Sequence, residues 1–509
     1  MNIMLLTPLI NNITVLVEKN ISKWYKVLTL YKKGKGMRMV IIWIGIFLCS
    51  TSVVQSQETW SLRQCIDTAL YNNIQLQQKS LDVKSKGITY RQAKESRWPN
   101  LNAGSSYYQS FGRRIDPTTN SFNNQTFSNQ SVNLNSGVTL FSFNQITNTI
   151  KQSGADLAAS KNDLDQLRRD ISLQVAQAYL NAILAQENLK IAQNSLDQTK
   201  SQLALTDKLI EAGSKNKNSR LELVAQIARN ESDIISAENQ ISSTLLDLKL
   251  LIQINTERQI KVIVPELGLS TENPEEIDFQ QLYQAAIKGQ PMFDAYKNKL
   301  ESALLAEKIS KSRGLPSLGL QGQLGTNFSS LNQRVAGIVP TEVVQPGVKI
   351  NDQAVKFAYS SVDVQYGKNP YFSQLNENLG YGIGVSLSIP IYNNYSNSAM
   401  VQQSKISTEQ VQLGMDQAYQ TLQKDVRQAL NTAISARRSF EAAQKLEESM
   451  EGVFSDTKKR FEIGAANTFE LITARNNLDN ASRTLLVDKY QYIFAMKVLD
   501  YYRGIQIEL

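Results

Sequence analysis

Two stretches of the chain, 144–211 and about 395–463, contain no proline and few glycines, and repeat apolar or small residues at alternating spacings of three and four. The first series runs Leu164, Leu167, Ile171, Val175, Ala178, Ala182, Ala185, Leu189, Ala192, Leu196; the second runs Leu422, Val426, Ala429, Ala433, Ala436, Phe440, Ala443. This is the seam of helices packed along their length, and its many alanines permit close approach. At 1.5 Å per residue such a helix is about 100 Å long, more than a globular domain needs. A fibrous coiled coil is the plainest reading of these segments alone.

Four other stretches change period. Leu379, Tyr381, Ile383, Val385, Leu387 and Ile389 alternate with glycine and serine, and Val132, Leu134, Val138 and Leu140 with Asn133, Asn135, Gly137 and Thr139. Leu318, Leu320 and Leu324 alternate with Gly319, Gln321 and Gln323, and Leu101, Ala103, Tyr107 and Phe111 follow more weakly. Period two with one apolar face suits a membrane barrel strand of about ten residues; a half-buried strand of a soluble sandwich alternates in the same way. If these strands lie in lipid, one chain is not enough. Four strands cannot close a barrel, an open edge cannot face lipid, and barrels begin at about eight strands. Three copies would supply twelve.

The elements recur. Trp98-Pro99-Asn100-Leu101 matches Leu315-Pro316-Ser317-Leu318 at an offset of 217, and Ile66, Ala69 and Leu70 match Tyr283, Ala286 and Ile287. Leu140-Phe141 matches Ile391-Tyr392, and Gly213 matches Gly464, at 251. Glu222-Leu223 with Glu470-Leu471, and Leu248-Lys249 with Met496-Lys497, align at 248. The second copy thus gains 34 residues between Leu318 and Ile391, and the first is expected to gain three just after Gly213. Length changes confined to two points belong in loops. Each copy reads as helix, strand, strand, long helix, loop, helix, and the division is an upstream extension with signal peptide (1–56), a first repeat (57–261), a linker (262–276) containing Pro265, Gly268 and Pro274, and a second repeat (277–509).

Charge separates the leader from the rest. The formal net charge is +8, but residues 1–56 hold seven cations and one anion, leaving 47 cations against 45 anions. A nucleic-acid partner gains no support from that balance. Met37-Arg38-Met39, the apolar run Val40 to Leu48 and the small residues up to Ser56 form a signal peptide cleaved near Ser56–Gln57, with Met37 or Met39 as the expected start. Cys49 offers lipidation as an alternative, although Leu48 is a poor residue to precede it. The run is too short to span a bilayer.

With these features assembled, residues 60–504 resemble a TolC-like outer membrane efflux protein. The resemblance rests on the duplication, the W-P-N-L and L-P-S-L strand entries, G-V-T-L-F-S-F and V-S-L-S-I-P-I-Y before the long helices, and the turns at Gly213 and Gly464. It implies an α+β membrane fold. Each chain gives four strands to a trimeric twelve-stranded barrel in the outer membrane, and long helices form a coiled-coil tube in the periplasm. The implied partners are two further copies, a periplasmic adaptor, an inner-membrane pump or ABC exporter, and outer-membrane lipid. The implied function is passive exit of substrates in a tripartite efflux or type I secretion system. The helix tips, 211–223 and 462–472, would form an iris-like entrance narrowed by acidic residues. Glu470 falls on one such position, with Glu222 as its expected first-copy counterpart, while Thr473 occupies the next. Phe461 stands at a tyrosine position and Ala466 at a basic one, so the familiar polar latch is absent in type. Glu470, Glu222 and Phe461 are therefore the pore-constriction candidates, and Gly213 and Gly464 the tip turns. A ring of Glu470 would favour cations; an acidic residue here also suits the first turn of a helix. Lys458, Lys459 and Arg460 before the tip suit a helix C-terminus. The loops at the far end, Gly112–Gln130 and Thr326–Asn378, are expected outside the cell, with Val355–Val364 a possible extension of a hairpin.

The chain contains no histidine, which removes Ser-His and Cys-His catalysis and histidine metal ligation. Cys65 reads as a buried small residue. Gly380-Tyr-Gly382-Ile-Gly384 reads as strand, not a nucleotide loop. No cofactor, metal or catalytic residue is expected. Four of the nine methionines precede the cleavage site, which gives a thioether path for copper little support. A secreted trimeric coiled coil without a pore, and a secreted enzyme on a helical scaffold, are the competing readings.

Overall fold

The four alternating stretches form one antiparallel sheet. A computed structural model of the chain describes residues 58–115, 120–124, 126–264, 272–345, 347, 349–350, 352–354 and 357–505. The signal peptide, Cys49 and the internal start sites lie outside the described residues. Contacts separate a small unit, which takes in Glu58, Thr59 and residues 259–261, from a large one of residues 60–258 and 262–505. The short strands β1 (Glu58–Trp60) and β6 (Ile260–Val262) pair as a two-stranded sheet, so the expected linker begins on a strand; its residues 265–271 are outside the described set.

In the first copy the order is α1 (Leu62–Asn72), α2 (Ile74–Glu95), β2 (Asn100–Ser110), β3 (Arg114–Ile115), β4 (Phe122–Asn123), β5 (Phe127–Phe141), α3 (Gln145–Glu211) and α4 (Lys217–Ile252). In the second it is α5 (Phe279–Gly289), α6 (Pro291–Ser312), β7 (Ser317–Ser329), β8 (Gln333–Gln345), β9 (Lys349–Ile350), β10 (Gln353–Ala354), β11 (Phe357–Lys368), α7 (Tyr371–Glu377), β12 (Gly380–Ser388), α8 (Ser396–Glu462) and α9 (Thr468–Arg503).

Local chemistry fixes the boundaries twice over. Ser61 caps α1 with a reciprocal Gln64 box, and Asp278, 217 positions on, caps α5 by accepting from Gln281 N at 3.0 Å. The single helix expected before each strand pair is two helices: Asn73 caps α2 by accepting from Gln75 N at 2.9 Å, and Pro291 opens α6. The turn from strand into long helix also repeats. Phe143 and Asn144, then Asn394 and Tyr395, are consecutive residues with left-handed backbone, 251 apart. Bulky residues in that region store strain that surrounding structure must hold.

Three expectations about the loops are corrected. Helices α3 and α8 are each 67 residues, and α4 and α9 each 36, with the offset of 251 kept at every end. No residues are gained after Gly213. The Glu-Leu and Leu248-Lys249/Met496-Lys497 matches at 248 are coincidental; the helix caps Asn216 and Asn467 supply the true correspondence. Glu470 therefore matches Ser219, and Glu222 matches Thr473. Second, Thr326–Asn378 is largely ordered secondary structure: β8 and β11 form a long hairpin and α7 returns the chain to β12. All 34 extra residues fall between Ser317 and Ser396. The outer loop of the first copy is also shorter than expected, because β5 begins at Phe127.

The sheet order is β12-β7-β5-β2, antiparallel throughout. Register places Ala103, Leu134, Leu324 and Tyr381 in one row, and Asn102, Asn135, Gln323 and Gly382 in the next. One face is thus apolar and the other is amide, hydroxyl and glycine. Among the described residues only α7 touches this face, at its Phe328 end, where the Tyr371 ring lies 5.0 Å from the Phe328 ring; the rest is bare, with Tyr381 86% exposed and Ile383 85%. That bare face is the property a soluble sandwich lacks. Among the described residues β2 and β12 have no further strand on their outer sides.

The helices provide the buried core. Ala182, Ala185 and Ala192 of α3, and Ala429, Ala433 and Ala436 of α8, are buried as the seam pattern requires. Phe279, Leu282 and Phe293 pack against Leu422 and Val426 of α8 and Met496 and Leu499 of α9. The copies interlock: β5 pairs with β7, and Asp163 on α3 accepts from Lys79 of α2 at 3.4 Å and Lys299 of α6 at 3.0 Å. No described helix is long and apolar enough to cross a membrane.

Candidate functional site

Each helical hairpin ends in the same turn. The Ser214 and Gly213 amides donate to Leu209 O at 2.8 Å and Ile210 O at 2.9 Å; the Ala465 and Gly464 amides donate to Arg460 O at 2.8 Å and Phe461 O at 3.1 Å. These bonds satisfy the last carbonyls of α3 and α8, and they require left-handed backbone at Gly213 (φ +77°) and Gly464 (φ +79°). Both turns are open around the glycine, so the requirement is conformational, not steric.

At the second tip Asn467 caps α9 and holds Glu470. Asn467 Oδ1 accepts from Glu470 N at 2.8 Å, and Asn467 Nδ2 donates to Glu470 Oε1 at 2.7 Å. Arg460 approaches Glu470 at 3.9 Å, but both are about half exposed, so this pair adds little stability. Glu470 remains accessible, and Glu222 is exposed one turn into α4. Phe461 is placed differently. Its side chain is fully buried with Ala466 and Leu471, and Lys215 of the first tip lies 4.1 Å from the ring centroid. The same Lys215 Nζ donates to Ala466 O at 2.9 Å. Phe461 is thus part of a clasp between the two tips. Ile463 and Phe469 are exposed at the end of the turn.

A polar network lies above this clasp. Asp479 on α9 is buried; Ser195 Oγ of α3 donates to its Oδ2 at 2.6 Å, and Arg475 meets its Oδ1 at 2.7 Å. Arg475 also donates to Gln198 of α3 and stands over the Phe454 ring at 5.3 Å. Gln226 of α4 donates to Asn476 of α9 at 3.1 Å, and Asn230 to Thr199 at 2.9 Å. A groove of about 620 Å³ runs along this network, lined in part by Gln202, Phe454, Lys458 and Arg475. The network joins the long helix of the first copy to the short helix of the second. No local pattern marked it, since Ser195 and Asp479 are 284 positions apart. The one available signal was a charged pair, Arg475 and Asp479, on the buried side of a helix.

Nothing near the tips assembles a nucleophile and a base. Cys65 is wholly buried, and burial pushes its thiol up to about 12, away from the reactive thiolate. Among the described residues no group of acidic or cysteine side chains is arranged to hold a metal ion.

The comparisons agree with this geometry. The family model described as "Outer membrane efflux protein" matches residues 65–252 and 282–500, one segment in each copy. The outer membrane protein TolC of Vibrio cholerae is 21% identical over 332 residues, 65% of this chain and 66% of that protein. The cation efflux system protein CusC of Escherichia coli K12 is 22% identical over 428 residues, 84% of this chain and 82% of that protein. The crystal structure of the Campylobacter jejuni CmeC outer membrane channel superposes with a TM-score of 0.69 at 18% identity, covering 87% of this chain and 85% of that one. Matched in both copies and in fold, the chain belongs to the outer membrane efflux protein family.

Proposed function

We propose that three copies of this chain close a twelve-stranded barrel by pairing β12 of each with β2 of the next, and that their helices continue the barrel as a tube. The chain is an outer-membrane exit duct of a tripartite efflux or secretion system. Its partners are its own copies, a periplasmic adaptor and an inner-membrane pump. The observation that carries the barrel is the four-stranded sheet with a bare apolar face and two open edges. Lipid is the medium in which such a face is favourable, and in lipid the unpaired edges must close. The opposite face would line the lumen with neutral amides, hydroxyls and glycine, a surface suited to passage without selecting one cargo. The relative CusC is a cation efflux system protein by name.

The tips are the entrance. Glu470 from three copies places three carboxylates around one mouth, with Glu222 nearby and Phe461 packed behind the turn. The exposed Ile463 and Phe469 offer the adaptor an apolar contact. Ion conductance of the purified assembly in planar bilayers tests this reading. Glu470→Gln is expected to reduce the preference for potassium over chloride, measured as a reversal potential in a salt gradient, while leaving the assembly intact. An unchanged reversal potential would leave Glu470 only as the partner of the Asn467 cap.

A further inference from the structure

The extra residues of the second copy build a blade that no other described element covers. Its root is firmly made. Gln374 on α7 is 1% exposed; its Oε1 accepts from Ser329 N at 2.9 Å, and its Nε2 donates to Asn369 O at 2.8 Å. Thr326 Oγ1 donates to Leu375 O at 2.6 Å, and Asn378 Nδ2 to Asn327 O at 2.8 Å. The β8–β11 hairpin therefore leaves the sheet as a held element, not as a loose loop.

Above the root the blade is bare. Register places Val335, Ile338 and Pro340 of β8 on one face with Tyr366, Val364 and Val362 of β11. Val335 is 54% exposed, Ile338 and Val362 62%, and Tyr366 64%. The opposite face is mixed: Asp363, Gln365 and Arg334 lie there with Val339, 44% exposed, and Tyr359, 52% exposed, while Ser360 and Glu342 end the apolar face. Neither strand packs extensively against another element. An isolated two-stranded hairpin is marginal in water, and a contiguous exposed apolar patch marks an interaction surface. Pro340 has no N–H to offer an added strand, so the blade presents its face more readily than its edge.

We propose that this apolar face docks against the same face on the other two copies and caps the outer mouth of the duct. The inference rests on the trimeric reading above. Continuity with the barrel seam selects the occupant. The hairpin rises from β7 and returns through α7 into β12, the open edge that meets the next copy. Three blades then stand at one rim, and threefold symmetry brings three identical faces together on the axis. At roughly 3.3 Å per residue, the 13-residue β8 reaches about 40 Å, while a twelve-stranded barrel is only about 25 Å across. The blades can therefore meet over the pore, giving the duct a closure at its exit distinct from the helical tips.

Val362→Cys and Asp363→Cys, each made in the full chain and assembled in outer-membrane fractions, test this with a short bifunctional maleimide and the unsubstituted chain as background. Covalent dimers and trimers are expected several-fold more from Val362→Cys, with the unheated trimer intact in both. Replacing residues 333–368 by a short glycine–serine turn is expected to raise single-channel conductance. Equal cross-linking from both faces, no cross-linking from Val362→Cys in an intact trimer, or no conductance gain would overturn the cap and leave the duct standing. Labelling of Val362→Cys by a membrane-dissolved maleimide in place of cross-linking would assign the face to lipid and overturn it as well. Absence of a trimer in the unsubstituted chain would overturn both readings.

Discussion

Ile383→Lys is expected to remove the heat-modifiable trimer from the outer membrane. Ile383 lies mid-strand in β12, 85% exposed, opposite Gly322 of β7 and on the apolar face of the sheet. In lipid, a lysine near the bilayer midplane costs about 2–4 kcal/mol per copy, and a threefold assembly meets that cost three times. In water the sign reverses: exchanging an exposed isoleucine for lysine would be neutral or helpful to solubility. Gly384→Ser is the matched control, since Gly384 is on the other face with open space where a Cβ would go. It is expected to leave the trimer at normal levels. Trimer yield on unheated gels reads both variants. Survival of the lysine variant would remove lipid from the apolar face.

The second large effect is expected at the network above the tips. Asp479→Ala leaves Arg475 without its carboxylate in a site where both side chains are at most 15% exposed. Breaking a buried pair from one side costs about 3–5 kcal/mol. Thermal dissociation of the assembly should fall accordingly. The pair ties α9 to Ser195 and Gln198 of α3, so its loss should also loosen one helical hairpin from the other and raise conductance. Removing both charges together, as Arg475→Met with Asp479→Leu, avoids an uncompensated ion and should recover much of the stability. It should not restore the closed conductance, because the hydroxyl and amide contacts to α3 are gone. A single variant with normal stability and conductance would mean that the network does not hold the tips.

Long-range order was legible where it repeats. The seams, the period-two strands and the offsets of 217 and 251 set out the helices and sheet from residue types alone, because burial along a helix or across a sheet recurs every few residues. The helix tips were less legible. Glu222 and Glu470 pair on a shared Glu-Leu and on Leu248-Lys249 with Met496-Lys497, two short coincidences, while the anchors are Asn216 and Asn467, each three positions after a left-handed glycine and each capping a helix. Phe461 held a tip position that suggested a constriction, yet Lys215 from the other tip covers it. Arg475, Asp479 and Ser195 meet only through tertiary packing, which no local spacing encodes. The β8–β11 blade was visible only in part, since Val355–Val364 alternates weakly and its partner strand carries Pro340.

The central claim is that one chain is a third of a pore. Planar-bilayer recording of the purified, unheated assembly tests it most directly. The account predicts discrete, long-lived conductance steps from the assembled trimer and none from the same preparation after dissociation to single chains. An intact assembly that conducts nothing, or single chains that conduct as well as the assembly, would contradict it.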